Sequence, residues 1–138
     1  MALHLLKLAV GCASVESLAR WQAGRLARTG LLFHETRNFP RRADEIRAGG
    51  SIYWIIKGYV RVRQRIPELE RRADEDRGRF CRLHLDPVLV RTELQPRRPH
   101  QGWRYLEEAD APPDAPDGAI PEEPPAEMAA ELRNLGLL

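Results

Sequence analysis

The sequence predicts an α+β domain built mainly of strands, with one or two helices. Three observations carry that prediction. Residues 51–66 alternate with period two: Ile52, Trp54, Ile56, Gly58, Val60, Val62, Gln64 and Ile66 fall on even positions, and Ser51, Tyr53, Ile55, Lys57, Tyr59, Arg61, Arg63 and Arg65 on odd ones, which is the signature of β-structure. Ser14 and Gly30 bracket a helical stripe of Val15, Leu18, Ala19, Gln22 and Leu26. The chain has 138 residues, 43% hydrophobic and 30% charged, which is globular composition at the length of one domain.

In chain order, Leu3 to Val10 reads as a strand. His4 and Lys7 interrupt its apolar run and no basic residue opens it, so it is expected to be structure rather than a secretory or lipoprotein leader, despite Ala9-Val10-Gly11-Cys12. Ser14 is placed to cap a helix that Gly30 closes in the left-handed conformation, with Glu16 in the first turn where the helix dipole favours it. The run 51–66 is longer than a usual strand, so a hairpin is expected at Gly58. A two-residue loop would put the arginines on the apolar face; a three-residue loop, Lys57-Gly58-Tyr59, pairs Ile56 with Val60 and is the expected register. "ELERRADEDRGR" reads as a solvated connection, followed by strands at 80–85 and 88–94 separated by Asp86-Pro87. "QPRRPHQGWRYL" is a loop that ends in a short strand.

Charge divides the chain. Residues 1–106 carry 21 Lys/Arg against 11 Asp/Glu, and residues 107–138 one Arg against nine acids. The expected organisation is a basic domain, 1–106, and an acidic, proline-rich tail, 107–138, ending in a short helix through Met128, Leu132 and Leu135. A basic body points to an anionic partner, and the tail to competition for the same face or to docking on a protein. All but two of the cations are arginine, the residue suited to bidentate contact with phosphate or carboxylate. Two cysteines, Cys12 and Cys81, fit a reduced, cytoplasmic setting, and no apolar stretch approaches the ~18 residues of a membrane helix. Cys81-x-x-His84 with distant His34 and His100 forms no metal-ligand set, and neither Ser14 nor Ser51 sits in a nucleophile motif. No cofactor or metal is expected.

Gly30, Glu35 and Arg37 fall on three positions of Gly-x-Lys-x-x-Glu-x-Arg, with Leu32 in place of the lysine. In this, and in its order of strand, helix, basic segment, glycines and hairpin, the region 3–106 resembles the PUA-like superfamily, in particular its ASCH and EVE branches. The whole chain, including "RAGGSIYWIIKG" and "QGWRYL", also resembles an uncharacterised bacterial family known only as a domain of unknown function. The first resemblance implies a small, partly open β-barrel with one or two helices whose cleft binds RNA or a modified nucleotide.

The residues offer a compatible site. Glu35 and Arg37 lie two apart on one strand face, as an ion pair or as a clamp on the edge of a base. Tyr53, Tyr59 and Trp103 interleave with Lys57, Arg61, Arg63, Arg97, Arg98 and Arg104, the pairing of aromatic faces with cations that holds single-stranded nucleic acid. Trp54, on the aliphatic face, is read as core. Each contact has a structural alternative: Arg61, Arg63 and Arg65 as solvent cover, Trp103 as packing at the domain's end. Two further functions stand beside RNA binding. One is a small nucleoside-processing, amidohydrolase-like enzyme, in which Lys57 would have to replace the missing lysine. The other is a protein-interaction module acting through the acidic tail.

Overall fold

The computed structural model describes residues 2–116. Within them the chain runs β1 (Leu3–Leu8), α1 (Val15–Thr29), β2 (Phe33–Thr36), α2 (Ala43–Arg47), β3 (Ser51–Ile56), β4 (Tyr59–Arg65), β5 (Glu68–Asp74), β6 (Gly78–His84), β7 (Val90–Pro96) and β8 (Trp103–Glu107), then a 3-10 turn at Glu108–Asp110. The strands form two sheets, of order β7-β4-β3-β1-β8 and β2-β6-β5. Among the described residues only β1 and β3 pair in parallel, and α1, β2 and α2 make the crossover between them. The α+β class holds, and among the described residues the sheets do not close into a barrel. No described helix is long and apolar enough to cross a membrane.

The helix ends are where their side chains dictate. Ser14 accepts from the Ser17 amide while the Ser17 hydroxyl accepts from the Ser14 amide, a reciprocal box at the N-terminus. Gly30, at φ 75°, donates its N–H to the Leu26 carbonyl.

One face of the large sheet, with Leu3, Leu5, Ile52, Trp54, Ile56 and Val62, packs against Leu69, Cys81 and Leu83 of the small sheet and Val15 and Leu18 of α1. Fully buried residues such as Leu5, Ile46 and Ile52 each contribute on the order of 1.5–3 kcal/mol. A reciprocal amide pair lies within this layer. Gln22 donates to Gln64 at 2.9 Å and Gln64 to Gln22 at 2.8 Å; Gln64 also donates to the Asp86 carbonyl and accepts from the Trp54 indole.

The hairpin differs from expectation. Ile56 pairs with Tyr59 across a two-residue Lys57-Gly58 turn, both residues at positive φ, 50° and 80°, as a type I′ turn requires. The conflict between that loop and the apolar pattern is removed by a bulge at Arg61: Ile55 pairs with Val60, but Trp54 pairs with Val62. One extra residue reverses the facing of everything beyond it. Val60 therefore joins Leu6, Tyr53, Ile55 and Leu106 on the sheet's second face, while Val62 stays in the main core.

That second face is covered, and Tyr53 on it is 4% exposed; Tyr59, opposite Ile56 on the core-facing side, is 0% exposed, so neither lies on a solvated side. The cover is the start of the acidic segment. Asp114 bridges to Thr92, the Glu93 and Ala115 amides donate to the Pro113 and Arg91 carbonyls, and Arg63 grips the Asp114 carboxylate at 2.7 and 2.8 Å. Residues 117–138, with the expected C-terminal helix, lie outside the described residues. "ELERRADEDRGR" is not a solvated connection but most of the β5–β6 hairpin. Its three-residue loop ends at Gly78, φ 71°, and the Asp74 side chain accepts from the Arg77 amide.

Candidate functional site

Leu69, Cys81 and Leu83 put one face of the β5–β6 hairpin into the core. Further along that face come Arg71, Ala73 and Arg79, Arg71 opposite Cys81 and Ala73 opposite Arg79. β2 stops pairing at Thr36, opposite Cys81, so residues 78–80 of β6 project past it and residues 37–39 leave the sheet. Between the departing chain and the projecting hairpin lies an open groove of about 610 Å³, lined by Arg37, Asn38, Phe39, Arg71, Arg72, Ala73, Arg79 and Phe80. An adjoining hollow of about 420 Å³ shares Arg37, Arg79 and Phe80 and adds Glu35, Thr36 and Arg77.

The groove's charge is not neutralised from within. Among the described residues Arg37, Arg71 and Arg79 have no carboxylate partner, whereas Arg72 pairs with Glu70 and Arg77 with Asp74 and Glu35. Arg71 lies over the Phe39 ring at 3.8 Å and Arg77 over Phe80 at 3.8 Å. Stacking of this kind orients a guanidinium while leaving its in-plane N–H donors available. Glu35 does not pair with Arg37. It accepts from Arg77 at 2.7 Å and from Arg82 at 2.8 and 3.0 Å. Burial pushes its pKa up, but the hydrogen bonds and charges of those two arginines outweigh burial and hold it below the usual carboxylate range.

A model of a family described as a protein of unknown function, DUF1489, matches residues 5–138. The chain belongs to that family. No curated protein and no solved structure matches it. Membership bears out the likeness to an uncharacterised family; it assigns no activity, and the site of this DUF1489 chain is read from its own residues.

Of the residues singled out from sequence, only Arg37 and Glu35 line these hollows. The others are dispersed over the large sheet. Arg61 is buried and donates to the Ile56 carbonyl, Arg63 holds Asp114, and Arg65 reaches the carbonyls of Arg47, Gly50 and Ile66. These three are internal donors, not a solvated row. Lys57 is exposed at the hairpin tip, Arg97 donates to Gln95 and, through its amide, to Gly58, and Arg98 and Arg104 are exposed. Trp103 donates to the Asn38 carbonyl at 2.9 Å and packs edge-on against Tyr105, so it fastens the groove's Arg37–Phe39 wall to β8. Sequence reasoning missed Arg71, Arg72, Arg77, Arg79, Phe39 and Phe80. The signal was there in Asp74 and Gly78, four residues apart with the spacing of a hairpin loop.

A second cluster lies under the acidic strap, around a hollow of about 450 Å³ with His4, Ser51, Tyr53, Arg63, Glu108 and Asp114. His4 Nδ1 accepts from the Ser51 amide, so its Nε2–H faces Glu108 at 2.5 Å. With Arg63 on Asp114 and His4 on Glu108, these polar side chains of the cluster are partnered within it. Cys12 and Cys81 are unbridged. Burial pushes the Cys81 thiol up to about 11, which favours the neutral thiol over the thiolate at neutral pH. Among the described residues no three His, Cys, Asp or Glu side chains converge as metal ligands.

Proposed function

We propose that the groove between residues 37–39 and the β5–β6 hairpin binds single-stranded RNA or a modified nucleotide, with arginines on phosphate and the Phe39 and Phe80 surfaces beside the base. The observation that carries this is the convergence of Arg37, Arg71 and Arg79, without carboxylate partners among the described residues, on one open aromatic-lined groove. The basic balance of residues 1–106 supports it, because such a surface raises the local concentration of a polyanion. The ASCH-like Gly30, Glu35 and Arg37 agree with it and support a PUA-like origin for the fold, with Glu35 setting the arginines rather than reading a base.

The test is binding of a short labelled RNA to the full chain across a salt series. Each phosphate contact contributes roughly −0.7 to the slope of log affinity against log salt, so three arginines give a slope near −2. Arg71→Ala with Arg79→Ala is expected to flatten it by roughly 1.4 and weaken low-salt binding about tenfold. Both side chains are exposed, so the fold is expected to survive. No binding at low salt, or an unchanged slope in the double variant, removes the groove as the interface.

Glu35→Gln separates this reading from a base-edge clamp. Releasing Arg77 and Arg82 adds cationic character next to the groove, so affinity is expected to rise about two- to fivefold at low salt, roughly 0.4–1 kcal/mol. A clamp predicts weaker binding and altered base preference.

A further inference from the structure

An apolar hollow lies between α1 and the connection entering β7, and its lining shares no residue with the arginine groove or the cluster under the strap. Ala19, Ala23 and Leu26 fall on one side of α1 at the i, i+4, i+7 spacing of a helical stripe. With Leu32, Pro87 and Leu89 they enclose about 140 Å³. No charged side chain lines this space, and the amide of its one polar member, Gln22, is committed to Gln64. An apolar cavity of about 150 Å³ admits a group the size of benzene, so there is room for an aliphatic side chain. The apolar surface continues outside the hollow: Leu26 is 37% exposed, and Val88, between Pro87 and Leu89, is 62% exposed. Single exposed aliphatics are ordinary, whereas a group of them around a hollow marks a contact surface.

The path of the acidic strap points to the occupant. The strap runs antiparallel to β7: Asp114 bridges Thr92, the Glu93 amide donates to the Pro113 carbonyl, and the Ala115 amide donates to the Arg91 carbonyl at 2.9 Å. Its direction is therefore from Glu93 toward Val90 and, past the start of β7, toward Leu89 and Pro87. Ala115 lies opposite a residue only two positions from Leu89, roughly 7 Å of extended chain. Arg91 also reaches Glu16 of α1 at 2.8 Å, which ties this end of β7 to the helix that carries the stripe.

The sequence that follows fits the surface. Residues 117–127 hold Asp117, Glu122, Glu123 and Glu127 and no cation, and can extend up to roughly 40 Å. Arg20, next to Ala19 and exposed on α1, has no carboxylate partner among the described residues. Met128, Leu132 and Leu135 then follow at intervals of four and three, the spacing of one apolar helical face. From Met128 to Leu135 and from Ala19 to Leu26 the separation is the same, roughly 10 Å as helix. The family match runs through residue 138 and so covers the hollow and this segment alike.

We infer that the hollow on α1 is the docking site of this chain's own C-terminal segment, residues 128–135, with Met128, Leu132 and Leu135 as the inserted side chains. The strap brings the segment to the mouth of the hollow, and a tethered segment competes at a high effective concentration that a free peptide lacks. The acids of residues 117–127 pass the Arg20 side of the helix on the way. Docking here rests on neither the arginine groove nor RNA binding.

The experiment is methyl NMR on the full chain, with labelled chain diluted in unlabelled chain so that only contacts within one molecule are seen. Contacts are expected between the methyl groups of Met128, Leu132 or Leu135 and those of Leu26, Val88 or Leu89. Two variants give reciprocal readouts. Leu132→Asp with Leu135→Asp is expected to shift the Leu26 and Leu89 methyl resonances and leave those of the buried Leu5 and Ile52 in place. Leu26→Asp, a change at an exposed position, is expected to speed hydrogen exchange of the 128–135 amides at least tenfold. Absence of the contacts, with hollow resonances indifferent to the tail variant, overturns the inference and leaves the hollow to a foreign partner. Contacts seen only between differently labelled molecules overturn it in favour of a second copy of the chain. If Leu26→Asp does not fold, the tail variant, whose substitutions lie outside residues 2–116, decides.

Discussion

Gly50→Ala is expected to produce the largest loss of stability of any single methyl group added to this domain. A Cβ at Gly50 would run into the Leu3 carbonyl oxygen far inside contact distance and lie 2.9 Å from the Ile46 carbonyl oxygen and 3.1 Å from the Ile46 Cα. All three are backbone atoms, so no side-chain rotation relieves the clash. The site is a junction: the Gly50 amide donates to Ile46 at the end of α2, and its carbonyl accepts from the Ile66 amide at 3.1 Å and from Arg65 at 2.7 Å. Moving the glycine breaks the meeting of α2, β1 and β4. A cost above about 4 kcal/mol is expected, seen as a melting temperature lowered by roughly 10 °C or more. Gly30→Ala is the control, since open space surrounds its Cβ and only its φ of 75° is strained; its cost is expected near 1 kcal/mol. Equal melting temperatures for the two variants would refute the steric argument.

Gln64→Leu is the second. It leaves the Trp54 N–H, the Gln22 amide and the Asp86 carbonyl without their partner. At about 1–3 kcal/mol for each orphaned group, with partial relaxation, a loss of about 3 kcal/mol is expected. Adding Gln22→Leu to this variant removes one orphan and supplies apolar surface, so the double variant is expected to be more stable than Gln64→Leu alone. A double-mutant cycle on denaturation free energies measures that coupling. Strict additivity would show that the two amides act independently.

How much was legible in the sequence depended on whether a residue's role was decided locally. Ser14 and Gly30 act within one helical turn, and α1 begins and ends at them. The alternation of 51–66 gave β3 and β4, but the turn length turned on a bulge, and nothing in Val60-Arg61-Val62 marks the odd residue. The β5–β6 hairpin was hidden because its faces alternate charge with charge: in Glu68–Asp74 only Leu69 is buried. Since the arginine groove is built on that hairpin, it was hidden too. Tyr53 looked solvated because the cover over its face comes from a proline-rich acidic segment that lacks the apolar content of a folding unit, yet docks through Asp114 and backbone bonds; Tyr59 did so because the two-residue turn that sets it opposite Ile56 on the core side was not the expected one.

The bulge at Arg61 has a mechanical effect on the domain. It makes β4 a strand of divided allegiance: Val60 is anchored in the cluster beneath the strap and Val62, two residues on, in the core between the sheets. Pulling the strap side open therefore drags on the same backbone that holds the inner layer, and the Arg61 guanidinium, fixed to the Ile56 carbonyl, keeps the twist between them from relaxing. With one strand shared between them, the two hydrophobic clusters are expected to unfold together rather than one after the other like separate lobes, and a disturbance under the acidic strap is expected to reach the layer where Lys7 and Trp54 lie.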